Sequence, residues 1–202
     1  MEPTGSVGFF DAQFRRQLSA GELALNPFEQ LALPYLHGRV LDYGCGLGNL
    51  GVAAAERGCS VLALDASPTA IEHLRALATA RSLPIQAECV DLRDHVAPPG
   101  FDVVVSIGLL MFFACADARR QLARLQAAVR PGGVALVNVL IEGTTFLDMF
   151  DRQPHCLFGH DELPHAFAGW TVLHESAQDF TAPRGLLKRF STVVARKPPA
   201  NA

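Results

Sequence analysis

The chain has 202 residues, of which 50% are hydrophobic and 18% are charged, with a formal net charge of −3. This length and composition predict one soluble domain with a sizeable core and exclude a disordered chain. The slightly acidic balance gives no electrostatic support for binding nucleic acid or an anionic membrane surface.

The five cysteines show neither disulfide spacing nor the spacing of a metal site. They are Cys45, Cys59, Cys89, Cys115 and Cys156. We expect reduced thiols that pack as small hydrophobes, and no bound metal. The first residues lack the basic and apolar regions of a signal peptide, and the longest apolar run, VVVSIGLLMFFACA, is shorter than the roughly 18 residues of a membrane span. A cytoplasmic protein is therefore expected.

Strand-like and helix-like segments alternate along the first two thirds of the chain. In order, the predicted strands are GRVLDY, CSVLALD, IQAECVD, FDVVVSIG and VALVNVLI. The helices between them are predicted to begin near Asn49, at Pro68 with Ser67 as N-cap, and after Asp117 as N-cap. This alternation predicts an α/β fold with a doubly wound, mostly parallel sheet.

The last third departs from this alternation. After a long loop and a helical turn around DELPHAF come two strand-like runs, GWTVLHESAQDF and LLKRFSTVVARK, which are joined by TAPRG. So short a connection makes the two strands antiparallel, so that a closing hairpin completes a sheet with one reversed strand. We expect a single domain over 1–202, with an N-terminal helical segment (1–38), a ligand-binding half (39–141) and a substrate-side part with the hairpin (142–202).

The stretch LDYGCGLGNLG, residues 41–51, contains two overlapping motifs. Read from Gly46 it is G-x-G-x-x-G, a dinucleotide fingerprint, and read from Asp42 it is D-x-G-x-G-x-G. A carboxylate at Asp42, where dinucleotide sites usually have an apolar residue, suits a ligand with a cationic group. Asp65 ends the second strand, where an acid can accept both ribose hydroxyls of either cofactor. Asp91 ends the third strand and, with the backbone N–H of Leu92, suits the edge of an adenine.

Motifs along most of the chain resemble those of class I S-adenosylmethionine-dependent methyltransferases. They are VLDYGCGLGN, LDAS, CVDL, FDVVVS and VRPGGVALVNV, in that order. FDVVVSIGLLMFF, FGHDEL, AGWTVLHES and LKRFSTVVARK are similar to the tellurite-resistance methyltransferase (TehB)-like branch. The resemblance implies a Rossmann-like seven-stranded sheet with a reversed last strand, S-adenosylmethionine across the strand ends, and a small-molecule methyl acceptor. It implies cofactor contacts from Asp42, Gly44, Cys45, Gly46, Asp65, Ala66, Asp91, Leu92, Ser106, Ile107 and Phe10.

The acceptor side is predicted from the topology of the hairpin. If its first strand is parallel to the others, the TAPRG turn lies at the rim where ligands bind, and Arg184 and Arg189 would stand near the acceptor. Two arginines there would suit an anion such as tellurite or selenite, and a thiol is the other acceptor considered. The aromatic segment FFDAQF resembles a leader that covers the cofactor.

Two other functions remain open from the sequence. One is an NAD-dependent oxidoreductase that uses GLGNLG, and the other is a non-catalytic S-adenosylmethionine-binding protein. For all three functions, including methyl transfer, we expect a monomer or homodimer without a nucleic-acid or membrane partner.

Overall fold

A computed structural model describes residues 5–150 and 154–200 of the chain. The strands are β1 (Arg39–Tyr43), β2 (Ser60–Asp65), β3 (Ile85–Cys89), β4 (Phe101–Ile107), β5 (Val129–Leu140), β6 (Thr171–Thr181) and β7 (Leu187–Arg196). The α-helices are α1 (Gly5–Ala20), α2 (Pro27–Ala32), α3 (Asn49–Ala55), α4 (Pro68–Arg81), α5 (Cys115–Ala128) and α6 (Glu162–Ala166). Short 3₁₀ turns cover Leu33–Tyr35, Leu110–Phe112, Asp148–Phe150 and Pro183–Gly185.

The seven strands form one sheet in the order β3-β2-β1-β4-β5-β7-β6. The neighbours from β3 to β5 are parallel, whereas β7 is antiparallel to both β5 and β6. The predicted fold, a doubly wound Rossmann-like sheet with a reversed last strand in a C-terminal hairpin, is confirmed. The parallel strands all direct their carboxyl ends to one rim, which is where ligands bind in open α/β sheets.

The core lies on both faces of the sheet. Alternate residues of β4 separate the two faces: Val103 and Val105 pack with α3 and α4, while Val104 packs with α5. All three valines are fully buried, as expected for a strand covered by helices on both sides. The central strands are therefore held firmly, and their ends can position side chains for a site.

Two predicted boundaries are corrected by the structure. Helix α5 begins at Cys115 after Ala114, so Asp117 lies in the first turn and is not the N-cap. Strand β5 begins at Val129, before the PGG sequence that was expected to precede it. The Pro131–Gly132 kink is accommodated as a register shift, because β5 pairs with Phe101 before the kink and with Val103 after it.

The cysteine prediction is wrong in part. Cys115 and Cys156 form a disulfide that joins the start of α5 to the loop before α6. Their separation of 41 residues carries no signal in the sequence. Beside the disulfide, the Cys156 amide donates a hydrogen bond to the Met111 carbonyl, 2.9 Å away, so the loop is also held to the turn before α5. Of the free cysteines, Cys45 and Cys59 are buried and Cys89 is exposed.

No helix within 5–150 or 154–200 has the length and apolar character needed to cross a membrane.

The disulfide is tested by counting thiols. In denaturant without reductant, a thiol reagent should titrate three of the five cysteines, and all five after reduction. Because the cross-link closes a loop of 41 residues, reduction should lower the free energy of unfolding by about 2–4 kcal/mol in chemical denaturation. A Cys115→Ala/Cys156→Ala variant serves as the control and should be insensitive to reductant. Five titratable thiols before reduction would show that the two sulfurs are not bonded.

Candidate functional site

The loop between β1 and α3 is fixed by the end of β2. The Leu64 carbonyl accepts hydrogen bonds from the Gly44 and Cys45 amides at 2.8 and 3.0 Å. The Asp65 carboxylate accepts the Gly46 amide through Oδ2 at 2.9 Å and the Ser67 amide through Oδ1 at 2.8 Å. One carboxylate thus holds both the glycine loop and the start of α4.

Glycine is required in this loop for conformation and for space. Gly46 and Gly48 have φ values of +52° and +77°, a region that disfavours side chains. A Cβ on Gly48 would lie 2.5 Å from the Leu74 side chain of α4, and one on Gly46 would lie 3.2 Å from the Phe14 ring of α1. The loop is therefore packed closely under both helices.

Asp42 lies at the carboxyl end of β1 and is 5% exposed. Its Oδ2 atom is buried and accepts no hydrogen bond from the described residues. Burial, with smaller contributions from the negative charges of Glu29 and Asp65, raises the pKa of the Asp42 carboxyl to about 8. A buried acid without a compensating charge is costly, so this site is suited to a cationic ligand group.

The third strand-end carboxylate differs in its environment. Asp91 is exposed and forms an ion pair with Arg93, whose Nη2 lies 2.5 Å from Asp91 Oδ2. The hydrogen bonds from Arg93 lower the pKa of the Asp91 carboxyl. Asp91 therefore stays ionised, and the following residue, Leu92, is buried beside it.

These carboxylates border one cavity of about 630 Å³ at the carboxyl ends of the parallel strands. Its walls are aromatic on the side of α1 and of the turn after β4. Phe10 and Phe14 of α1 line it, and the Phe10 ring meets the Phe112 ring edge to face at a centroid distance of 4.9 Å. The volume and mixed polar and apolar walls are typical of a small-molecule site.

Most of the residues predicted to contact the cofactor come together in this cavity. Those that line it are Phe10, Asp42, Gly44, Gly46, Asp65, Ala66, Asp91, Leu92 and Ile107. Cys45 and Ser106 do not line it; both are buried, and Ser106 is 0% exposed. Cys45 packs in the core instead, whereas Gly44, Gly46 and Ile107 beside these two residues line the cavity.

The two predicted acceptor arginines do not line the cavity. Arg184 pairs with Asp148 at 2.5 Å, and Arg189 pairs with Asp179 at 2.9 Å. The 3₁₀ turn Asp148–Phe150 supplies the partner of Arg184, and strand β6 supplies the partner of Arg189; the sequence analysis assigned neither. The acceptor role of the arginines has no support from this geometry.

Several residues at the cavity were missed by the sequence analysis. Glu22 and Glu29 line it from the segment between α1 and β1. Glu29 forms a capping box with Asn26: its side chain accepts the Asn26 amide at 2.7 Å, and Asn26 Oδ1 accepts the Glu29 amide at 2.9 Å. The sequence NPFE carries this signal, an N-cap followed three residues later by Glu.

Within the described part of the chain, no group of three or more His, Cys, Asp or Glu side chains is arranged to hold a metal ion.

Comparison with known proteins identifies the domain type. Residues 40–133 match the model of a family described as "Methyltransferase domain". Hemagglutinin 1 of Eikenella corrodens is 27% identical over 79% of this chain and 55% of its own length. Carboxy-S-adenosyl-L-methionine synthase of Geobacter metallireducens is 35% identical over 62% of this chain and 51% of its own length. The chain thus spans about half the length of the curated relatives it matches.

Among solved structures, TehB from Haemophilus influenzae shares the fold. Its TM-score is 0.77 with 19% identity, and the match covers 90% of this chain and 65% of that one. The likeness to TehB, at 19% identity, concerns the fold. The family match over residues 40–133 confirms the predicted recognition, a class I S-adenosylmethionine-dependent methyltransferase domain, and with it the predicted cofactor.

The environment of Asp42 predicts that the affinity for S-adenosylmethionine depends on pH. In the free protein the carboxyl is mostly protonated at neutral pH, since its pKa is about 8. The cationic groups of S-adenosylmethionine favour the ionised form, so binding should release a proton. Affinity should therefore rise from about pH 5.5 to about pH 7.5, by at most about tenfold per pH unit.

Calorimetry in buffers of different ionisation enthalpy measures this proton release directly. Asp42→Asn should bind more weakly and lose most of the pH dependence. Equal affinity across the range, with no proton released by the wild-type protein, would contradict this role for Asp42.

Proposed function

Since residues 40–133 belong to the methyltransferase-domain family, we propose that this chain transfers a methyl group from S-adenosylmethionine to a small nucleophile. The observation that carries the proposal is the arrangement of three strand-end acids around one cavity. Asp42, Asp65 and Asp91 border it above a glycine loop, at the rim where α/β sheets bind ligands.

The residues of the cavity fit the cofactor in a defined order. Asp65 accepts the ribose hydroxyls, Asp91 and the Leu92 amide meet the adenine edge, and Asp42 faces the cationic end of the molecule. The bound cofactor supplies an electrophilic methyl group on a sulfonium sulfur. The aromatic walls exclude water, and α1 encloses the reacting groups, so the chain contributes mainly orientation and desolvation.

The charge of the cavity favours a neutral or cationic acceptor, such as a thiol or a small amine, over tellurite or selenite. Six acidic side chains line it: Glu22, Glu29, Asp42, Asp65, Asp91 and Asp117. The pKa of Asp42, about 8, keeps that carboxyl mostly neutral until the cofactor binds, so the other five supply most of the negative charge. Arg93 is the one Lys or Arg among the described lining residues, and it is paired with Asp91. An oxyanion would meet an unfavourable potential in such a cleft.

The two alternatives are less well supported. The hairpin of β6 and β7 and the family match both argue against an NAD-dependent oxidoreductase, because dinucleotide domains of the Rossmann type continue with a parallel sixth strand. A non-catalytic S-adenosylmethionine-binding protein would share the cofactor residues and differ only in turnover. A turnover assay therefore separates it from the enzyme.

The test is production of S-adenosylhomocysteine with a panel of thiols, small amines, tellurite and selenite. We expect turnover with thiols or amines and none with the oxyanions. Arg184→Met and Arg189→Met should leave kcat/KM within about twofold of wild type, because a twofold change is only a few tenths of a kcal/mol and neither arginine lines the cavity.

Turnover of tellurite that is lost in both arginine variants would contradict the proposed acceptor class and restore the acceptor role predicted from the sequence. Tight binding of S-adenosylmethionine without turnover of any acceptor would favour the non-catalytic alternative.

A further inference from the structure

Helix α1 lies across the cavity with an unusual pattern of burial. Its aromatic residues Phe10 and Phe14 line the cavity but are only half-buried, and Phe9 is exposed. The buried residue of the helix is a carboxylate, Asp11, which is 3% exposed. Burying an acid has a cost that must be offset by specific partners. The attachment of α1 therefore depends on what Asp11 contacts.

Asp11 is bound to the start of α4. Its Oδ1 accepts the Ser67 hydroxyl at 2.6 Å and the Thr69 amide at 3.2 Å. Arg15, one turn later in α1, lies 2.9 Å from Asp11 Oδ2 and donates through Nε to the Thr69 hydroxyl at 3.2 Å. Although burial alone would raise the pKa of Asp11, these hydrogen bonds outweigh it and lower the pKa. The carboxylate is thus ionised and fully engaged.

Ser67 links this contact to the cofactor site. Its hydroxyl caps α4 by accepting the Ala70 amide at 3.2 Å, and its own amide donates to Asp65 Oδ1 at 2.8 Å. The other Asp65 oxygen accepts the Gly46 amide. A continuous hydrogen-bonded path therefore runs from α1 through Ser67 and Asp65 to the glycine loop.

We propose that Asp11 is a positioning residue that latches α1 over the cofactor cavity, so that the release of cofactor product requires the Asp11–Ser67 contact to open. The contact is made on the side of α1 next to α4, while Phe10 and Phe14 of the same helix line the cavity. The docking of α1 over the cavity and the ordering of the residues around Asp65 are then coupled. The inference rests on the proposed function for its choice of ligand, S-adenosylhomocysteine.

The latch predicts a specific split between rates. In Asp11→Ala, α1 is released, so S-adenosylhomocysteine should dissociate at least about tenfold faster, the size expected when charge-assisted hydrogen bonds are lost. Its association rate should stay within about threefold, since the residues of the cavity are unchanged. Asp11→Asn keeps an oxygen acceptor but loses the charge, so its dissociation rate should lie between those of the wild-type protein and Asp11→Ala. Arg16→Ala changes an exposed residue of the same helix and serves as the matched control.

A structural role in capping α4 makes a different prediction. Hydrogen exchange separates the two without any turnover. The Thr69 amide loses its acceptor in Asp11→Ala in either case; the latch predicts in addition faster exchange along α1, with the Ala70 amide still protected by Ser67. A purely structural role predicts that exchange rises mainly in the first turn of α4. Binding of S-adenosylhomocysteine should slow exchange in α1 of the wild-type protein more than in the variant.

The outcomes separate the latch from the proposed function. Dissociation within twofold of wild type in Asp11→Ala, together with unchanged exchange in α1, would overturn the latch. Failure of the wild-type protein to bind S-adenosylhomocysteine would instead contradict the proposed function. Exchange in α1 of the free protein would then decide the latch alone, with unchanged exchange in Asp11→Ala counting against it.

Discussion

The site depends on the two hydrogen bonds that the Asp65 carboxylate accepts from the Gly46 and Ser67 amides. The first fixes the glycine loop after β1, and the second fixes the start of α4, so one side chain sets the spacing between two walls of the cavity. Asp65 can hold this position because it ends a strand paired on both sides, by β1 and β3. The rigid sheet therefore determines the geometry of the loop, which has little regular structure of its own.

Charge gives the cavity its selectivity. Burial raises the pKa values of both Asp42 and Asp65, because their ionised forms are destabilised in the empty site. A bound cation would stabilise the ionised carboxylates. A sulfonium cofactor with an ammonium group supplies this compensation, whereas a dinucleotide would bring phosphate anions to the same acids. Glu22 and Glu29 add to the surplus of acidic side chains that line the cavity. The same physical property thus bears on both the cofactor and the proposed class of acceptor.

Much of the fold was predictable because its signals are local. The alternation of apolar strands with helices, the Ser67–Pro68 helix start and the TAPRG turn each rest on neighbouring residues, and the structure contains all three. Strand-end acids were also predictable, since topology alone brings them to one rim. The Cys115–Cys156 disulfide, the ion pairs of Arg184 and Arg189, and the contact of Asp11 with Ser67 were not. The pair of Arg189 with Asp179 depends on the register of the β6–β7 hairpin, in which the two residues lie opposite each other. The other contacts join residues far apart in the chain, and their meeting depends on the packing of loops and of α1.

The most direct measurement of the central claim is the affinity of Asp65→Ala for S-adenosylhomocysteine, determined by calorimetry on protein shown to be folded by circular dichroism. The account predicts a loss of more than about tenfold, because two charge-assisted hydrogen bonds to the ribose disappear and the glycine loop loses its anchor. Asp94→Ala, which changes a carboxylate that is 88% exposed beyond the end of β3, should bind like wild type. Unchanged affinity in a folded Asp65→Ala protein would contradict the account.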